Sequence, residues 1–273
     1  MNATMYNLED GLKVHFISKA DTDIVYQEIF REDVYRRHGI SIKSGDCIVD
    51  VGANTGLFLL FLNRICQSAR VIAVEPIPDI FEVLQRNLAD HNHLDVTALN
   101  VGLSSESGTT DFTYFPRISC ASTMYPDNSD CEARRAEHYI IGRFKELPNR
   151  LLSVCLTSLP NFMQMGIAKL VRKYYAKKQV IRCELRTLSE LIQSYDLKTI
   201  DFLKLDAERS ELAILNGIED SDWQKIQQTV VEVHEGDEAC QQVLNLLESR
   251  GFSVNVDHNP EFNNIYMLYG KKL

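Results

Sequence analysis

The stretch D-C-I-V-D-V-G-A-N-T-G, Asp46 to Gly56, is followed one helix-length later by R-V-I-A-V-E-P, Arg70 to Pro76. Two apolar runs of strand length, each ending in a carboxylate and separated by a glycine turn, are how a nucleoside-binding βαβ unit is written in sequence. Cys47 to Val51 has the continuous apolar character of a strand buried on both faces. Gly52 and Gly56 flank a turn where backbone must approach a ligand and side chains would obstruct it. Leu57 to Arg64 then opens a helix whose first amides point at that ligand. Glu75, about 20 residues beyond the turn, is placed to accept hydrogen bonds from two ribose hydroxyls. The turn G-A-N-T-G lacks the G-x-G-x-x-G spacing that seats a pyrophosphate, so the expected ligand is S-adenosylmethionine, with one ribose and no phosphate, rather than a dinucleotide.

Outward from this unit, strand-like runs at Cys47 to Val51, Val71 to Val74, Val96 to Val101, Ile200 to Leu205 and Thr229 to Val233 alternate with helical patterns at Ile80 to His91, Leu188 to Tyr195 and Ala239 to Ser249. The pattern predicts an α/β fold with a doubly wound, mostly parallel, Rossmann-like sheet. Phe252 to Val256 and Ile265 to Tyr269 read as an antiparallel C-terminal hairpin on its edge. Residues 1–44 read as an N-terminal helical segment or lid, with Tyr26, Ile29, Phe30, Val34 and Tyr35 at helical spacing, and residues 45–273 as the core. Residues 115–186 form a stretch far longer than an ordinary connection, and we expect a helical insertion on the substrate side.

Seven cysteines, odd in number and without a C-x-x-C pair, argue against a disulfide framework or a zinc site and for a reducing compartment. With no apolar leader and no membrane-length apolar run, the expectation is a cytoplasmic enzyme without a membrane partner. A formal net charge of −9 disfavours nucleic acid.

In an open α/β sheet the ligand crevice lies at the carboxyl ends of the strands. K-L-D-A-E-R places Asp206 and Glu208 there, and V-E-V-H-E places Glu232, His234 and Glu235. A histidine beside carboxylates suits removal of a proton from a hydroxyl nucleophile near neutral pH. His234 is therefore the expected base, with Glu208 or Glu235 orienting it and Asp206 beside the methyl donor. The same Asp206, Glu232 and His234 would alternatively ligate a divalent metal that acidifies the hydroxyl; the metal-free base is the simpler arrangement. His138 is a further candidate, whereas His15, His91, His93 and His258 read as surface residues.

D-V-G-A-N-T-G, A-V-E-P, N-V-G-L-S-S at Asn100 to Ser105 and K-L-D-A-E-R-S-E at Lys204 to Glu211 together resemble the FkbM family of S-adenosylmethionine-dependent methyltransferases, in order and over most of the chain. The N-terminal stretch Val25 to Ile40 looks most like members embedded in polyketide and peptide megasynthases. The resemblance implies an O-methyltransferase of natural-product biosynthesis acting on a polyketide- or peptide-like acyl intermediate held on a phosphopantetheinyl carrier protein. It implies Asp50, Gly52, Asn54, Thr55 and Gly56 around the methionine end, Glu75 and Pro76 at the ribose, and Gly102 and Leu103 at the adenine. N- or C-methylation, a nucleotide-binding oxidoreductase and a non-catalytic megasynthase module stay open. The family pattern leads us to expect glycine after Glu208, where this chain has Arg209. Leu147 to Cys183 contains no carboxylate but carries Arg150, Lys169, Arg172, Lys173, Lys177, Lys178 and Arg182, either a solvated helix face or a docking surface for an acidic, phosphate-bearing carrier domain.

Overall fold

The computed structural model describes residues 5–126, 137, 141, 149–234, 236–258 and 265–272. Strands β1 (Met5–Asn7) and β2 (Lys13–His15) form a short antiparallel hairpin. Helix α1 (Lys19–Tyr26) begins at Ser18, whose hydroxyl accepts from the Asp21 amide, and runs into a π-turn at Gln27–Arg31 and a 3-10 turn at Val34–Arg36. The first half of the sheet is β3 (Cys47–Val51), α2 (Leu57–Ile65), β4 (Arg70–Val74), α3 (Pro78–His91) and β5 (Asp95–Leu99). Next come β6 (Gly102–Leu103), β7 (Gly108–Tyr114), α4 (Arg150–Thr157), α5 (Asn161–Tyr175) and β8 (Gln179–Arg186). The second half is α6 (Leu188–Ser194), β9 (Phe202–Leu205), α7 (Glu211–Asn216), β10 (Gln228–Val233), α8 (Gly236–Ser249), β11 (Phe252–His258) and β12 (Tyr266–Lys272).

The main sheet runs β11-β12-β10-β9-β3-β4-β5, with β3, β4, β5, β9 and β10 parallel and the last two strands returning as an antiparallel hairpin beside β10. This is the Rossmann-like architecture expected from the alternation of apolar runs. The chain winds outward from β3 through β4 to β5, then crosses back to build β9 and β10 on the other side. The carboxyl ends of β3 and β9 therefore flank a topological switch point, where such sheets hold ligands. Parallel pairing of these two strands sets Asp50 on β3 opposite Lys204 on β9.

Helix α2 explains how the sheet is held on one face. Leu57, Phe58, Leu59, Leu60, Phe61 and Leu62 are all buried, so this helix is apolar around its whole girth and is enclosed between the sheet and the N-terminal segment. Each such burial contributes about 1.5–3 kcal/mol. The N-terminal stripe packs on it: Tyr26 stacks on Phe30, Phe30 meets Phe61 edge-on, and Tyr35 meets Phe58. The π-turn interrupts the single helix that the spacing suggested, which lets Ile29 bury while Glu28 lines an internal cavity.

The stretch 115–186 is not helical throughout. Its end forms β8, which pairs antiparallel with all of β7 and parallel with β6, making a separate three-stranded sheet. Cys183 and Leu185 are buried while Arg182 and Glu184 face out, the period-two signal of a half-buried strand. Reading this segment by its charge passes over that alternation.

Candidate active site

The glycine turn after β3 is shaped by close backbone approach. Gly52 has φ +76°, and a Cβ there would lie 1.8 Å from the Asp206 carbonyl oxygen. Only glycine fits between the carboxyl ends of β3 and β9. Beneath the turn, Lys204 Nζ sits 3.1 Å from Asp50 Oδ1 and 3.6 Å from Asp206 Oδ2, and donates to the Gly52 carbonyl at 3.2 Å. The Asp50 and Lys204 side chains are 0% and 4% exposed, so the pair fixes the turn from inside the core. Burial pushes the Asp50 carboxyl up even with Lys204 beside it.

Above the turn opens a cavity of about 920 Å³, within the size range of small-molecule sites. Gly52, Asn54 and Thr55 line it, as do Glu75, Pro76, Gly102 and Leu103. Asp50 and Gly56, expected at the methionine end, do not: Asp50 lies behind Lys204, which does line the cavity, and Gly56 backs onto α3, a Cβ there being 2.6 Å from Leu84 Cδ1. Glu75 accepts from the Asn54 amide through Oε2 and from the Ile77 amide through Oε1. Burial nonetheless pushes its carboxyl up to about 7. A ribose offering two hydroxyl donors fits this carboxylate, whose oxygens keep further lone pairs. Ile80, Phe112 and Leu103 give the apolar walls an adenine needs, and the cavity thus fits S-adenosylmethionine.

At the opposite end of the cavity His234 stands among acids. Its Nδ1 is 3.1 Å from Glu211 Oε1, and its Nε2 is 3.5 Å from Glu232 Oε1 and 3.7 Å from Glu208 Oε1. Glu211, 2% exposed, also accepts from the amides of Ala207 and Arg209. The carboxylate hydrogen-bonded to Nδ1 is Glu211, at the start of α7, while Glu208 stands nearer Nε2; Glu235 lies outside the described residues. Glu211 does not line the cavity whereas His234, Glu208 and Glu232 do, so Nδ1 is held from behind and Nε2 lies on the cavity side beside Glu232 and Glu208.

The field of these acids alters the chemistry anticipated from sequence. Burial alone would push His234 down, but Glu208, Glu211 and Glu232 outweigh it and hold the imidazole well above its usual range. The acids around it thus favour the charged ring over the neutral one that a base needs. Burial also pushes Glu208 up to about 8, with Asp206 and Glu232 adding to the rise against His234. Glu28, from the π-turn, is pushed up to about 8 by burial and then by Glu232 and Asp206. A positive group brought into the cavity would discharge this crowding and lower the imidazole toward neutrality.

Strand geometry does not persist past Leu205. Glu208 and Arg209 have φ +45° and +77°, in the left-handed region. Glycine adopts that conformation without steric cost, as the resemblance led us to expect after Glu208; the backbone here holds it with an arginine. The roof is held by Asp21, whose Oδ2 accepts from the Ser119 amide at 2.6 Å and hydroxyl at 3.1 Å. This ties α1 to the cavity-lining stretch Ile118 to Ser122. Tyr35 donates to Asp206 at 3.4 Å. Lys204, Glu211, Glu28 and Asp21 were not singled out from sequence; only the register that sets Lys204 opposite Asp50 carries a usable signal. His138 lies outside the described residues, and His15, His91 and His93 are tied to Asp90, the Lys13 carbonyl and the Cys66 carbonyl away from the cavity. Asp206, Glu232 and His234 also place one ligating atom each within 4.8 Å of one another.

The sequence profile of the methyltransferase FkbM domain matches residues 50–254. The 31-O-demethyl-FK506 methyltransferase FkbM of Streptomyces tacrolimicus is 31% identical over 258 residues, covering 93% of this chain and 91% of that protein. Methyltransferase sdnD of Sordaria araneosa is 33% identical over 257 residues, 91% of this chain and 88% of its own. The AMB antimetabolite synthetase AmbE of Pseudomonas aeruginosa is 32% identical over 257 residues, 92% of this chain but 11% of that much longer protein.

Proposed function

The chain belongs to the FkbM methyltransferase family, and from that premise we propose that it methylates a hydroxyl of a polyketide- or peptide-like acyl intermediate held on a carrier protein, with His234 as general base. Its activity as an S-adenosylmethionine-dependent methyltransferase follows from the family. The finer reading rests on one observation: a buried carboxylate holds His234 Nδ1 and leaves Nε2 facing the cavity that also contains the glycine turn. Relatives include a synthetase in which the matching region is 11% of the length, which favours a substrate presented by a neighbouring domain.

S-adenosylmethionine supplies an electrophilic methyl group on a sulfonium. Gly52 and Asn54 admit it closely, Glu75 holds the ribose, and Gly102 and Leu103 bound the adenine. Asp206 and Glu232 face the positive end of the donor and, with His234, define where a hydroxyl must sit. Alignment of that hydroxyl is most of the task, and proton removal by Nε2 completes it. The protonated ring is then stabilised by Glu211.

The spacing of Asp206, Glu232 and His234 favours a second reading, in which they hold a divalent cation that acidifies the hydroxyl, with Glu211 orienting the histidine from behind. The two separate in one assay. Methyl transfer to hydroxyacyl and aminoacyl thioesters, measured with and without chelator, is expected to be unaffected by chelation and abolished by His234→Ala. Loss with chelator and recovery with Mg²⁺ or Mn²⁺ would replace base by metal, and transfer confined to aminoacyl chains would replace O- by N-methylation.

A further inference from the structure

Helices α4 and α5 carry exposed apolar side chains in an unusual setting. Leu151 is 84% exposed, Phe162 77%, Leu170 70% and Val180, at the start of β8, 67%. Burial of such groups is normally what a surface helix achieves, and apolar clusters left outside mark contact surfaces. The segment's own charge is of one sign, since no carboxylate occurs from Leu147 to Cys183 in a chain of net charge −9. Lys169 and Lys173 are four residues apart on α5, and Lys177 follows at the same interval just beyond its end. Like charges at that spacing on a helix repel, so α5 gives up stability by carrying Lys169 and Lys173 together. Arg172 is paired with Glu137 and Arg182 with Asp111, whereas Lys169, Lys173 and Lys177 have no carboxylate partner among the described residues. The patch is joined to the cavity wall: Arg117 donates to the Tyr174 carbonyl at 2.6 Å and stacks its guanidinium 3.6 Å from that ring, and the next residues, Ile118 to Ser122, line the cavity.

We propose that α5, with Phe162 and Leu170 exposed beside Lys169 and Lys173 and followed by Lys177, is the docking surface for an acidic carrier domain that delivers its phosphopantetheine-bound acyl chain past Arg117 into the cavity. This rests on the carrier-bound substrate proposed above. Charge complementarity decides the occupant: lysines without a carboxylate partner among the described residues, set beside apolar side chains, suit a helix that presents carboxylates around an apolar residue, with a phosphodiester at its end.

The test compares a hydroxyacyl chain on an excised acidic carrier domain with the same chain on free pantetheine, using wild type, Lys169→Glu/Lys173→Glu/Lys177→Glu and Phe162→Ser/Leu170→Ser. Binding of the holo-carrier is read separately by fluorescence anisotropy. Expected is a rise of at least tenfold in KM and Kd for the carrier in both variants, steepest at low salt for the lysine variant, with the pantetheine thioester unaffected. Carrier binding that is equal in wild type and variants, or undetectable in wild type, overturns the surface. Methylation of the pantetheine thioester alone would overturn the docking while leaving the methyl-transfer chemistry intact; lysine-dependent carrier binding without methylation of either thioester would uphold the docking and defeat the substrate reading. Lysine-dependent sedimentation with anionic phospholipid vesicles, without carrier binding, would assign the face to a membrane and overturn the proposal.

Discussion

Replacing Lys204 by methionine removes the cation that neutralises Asp50 at the base of the glycine turn. The pair is 3.1 Å apart and almost wholly shielded from solvent, so Asp50 would be left as a buried, unpaired carboxylate with Asp206 nearby. Removing one member of such a pair typically destabilises by about 3–5 kcal/mol. At about 2–4 °C per kcal/mol for a chain of this size, the expected loss in Tm is roughly 6–20 °C at pH 7.5. Asp50 is already pushed up by burial, and without Lys204 it rises further. A raised folded-state value means the folded chain retains a proton that the unfolded chain releases, so the deficit shrinks on acidification and grows as pH rises. Urea unfolding across that range measures it, and the double variant Asp50→Asn/Lys204→Met should recover most of the loss. Binding of S-adenosylhomocysteine, followed by calorimetry, should weaken in the single variant because the Gly52 carbonyl loses its donor. A loss below about 1 kcal/mol that does not vary with pH would refute the reasoning, since a pair this buried cannot be silent.

Gly52→Ala should abolish S-adenosylhomocysteine binding in calorimetry, because its Cβ would meet the Asp206 carbonyl at 1.8 Å and displace the turn; affinity within threefold of wild type would show that the turn does not bound the cofactor. Arg209→Gly should raise Tm by roughly 2–4 °C by relieving about 1 kcal/mol of left-handed strain, with Arg209→Ala giving no such gain; a fall in Tm would remove that explanation for the expected glycine. Glu28 is pushed up to about 8 by burial and neighbouring acids, so the folded chain holds its proton between about 4.5 and 8 while the unfolded chain loses it, and stability falls with rising pH across that window. Glu28→Gln should therefore flatten the descent of Tm from pH 5 to 8 in the ligand-free protein; an unchanged slope would contradict the crowding of charge around His234.

The parts of the fold that could be read from sequence are those where local pattern and final environment agree. Cys47 to Val51 and Val71 to Val74 are continuous apolar runs because both faces of the sheet are covered, and the turn between β3 and α2 needs glycine whatever surrounds it. What escaped depends on register or on another element. Lys204 becomes Asp50's partner only because parallel pairing sets the two opposite each other. Glu211 reaches His234 because a left-handed bend at Glu208 and Arg209 turns the chain into α7, and nothing local announces that bend in a non-glycine pair. Glu28 enters the cavity through a π-turn, a single-residue slip in helical phase that spacing does not reveal. β8 was hidden because its charge was more conspicuous than its alternation. The field at His234 escaped for a related reason: pairing the ring with one carboxylate suggests an ordinary imidazole, whereas three carboxylates within 3.7 Å push it above its usual range.

The most direct test is transfer of labelled methyl from S-adenosylmethionine to a panel of hydroxyacyl thioesters as a function of pH, by wild type and His234→Ala, with S-adenosylhomocysteine affinity measured in parallel. Expected is a wild-type rate that climbs on the alkaline side of neutrality as the imidazole gives up its proton, and a loss of about 10²–10⁴-fold in His234→Ala with cofactor affinity retained. A variant that keeps the wild-type rate and pH profile would contradict general-base catalysis by His234.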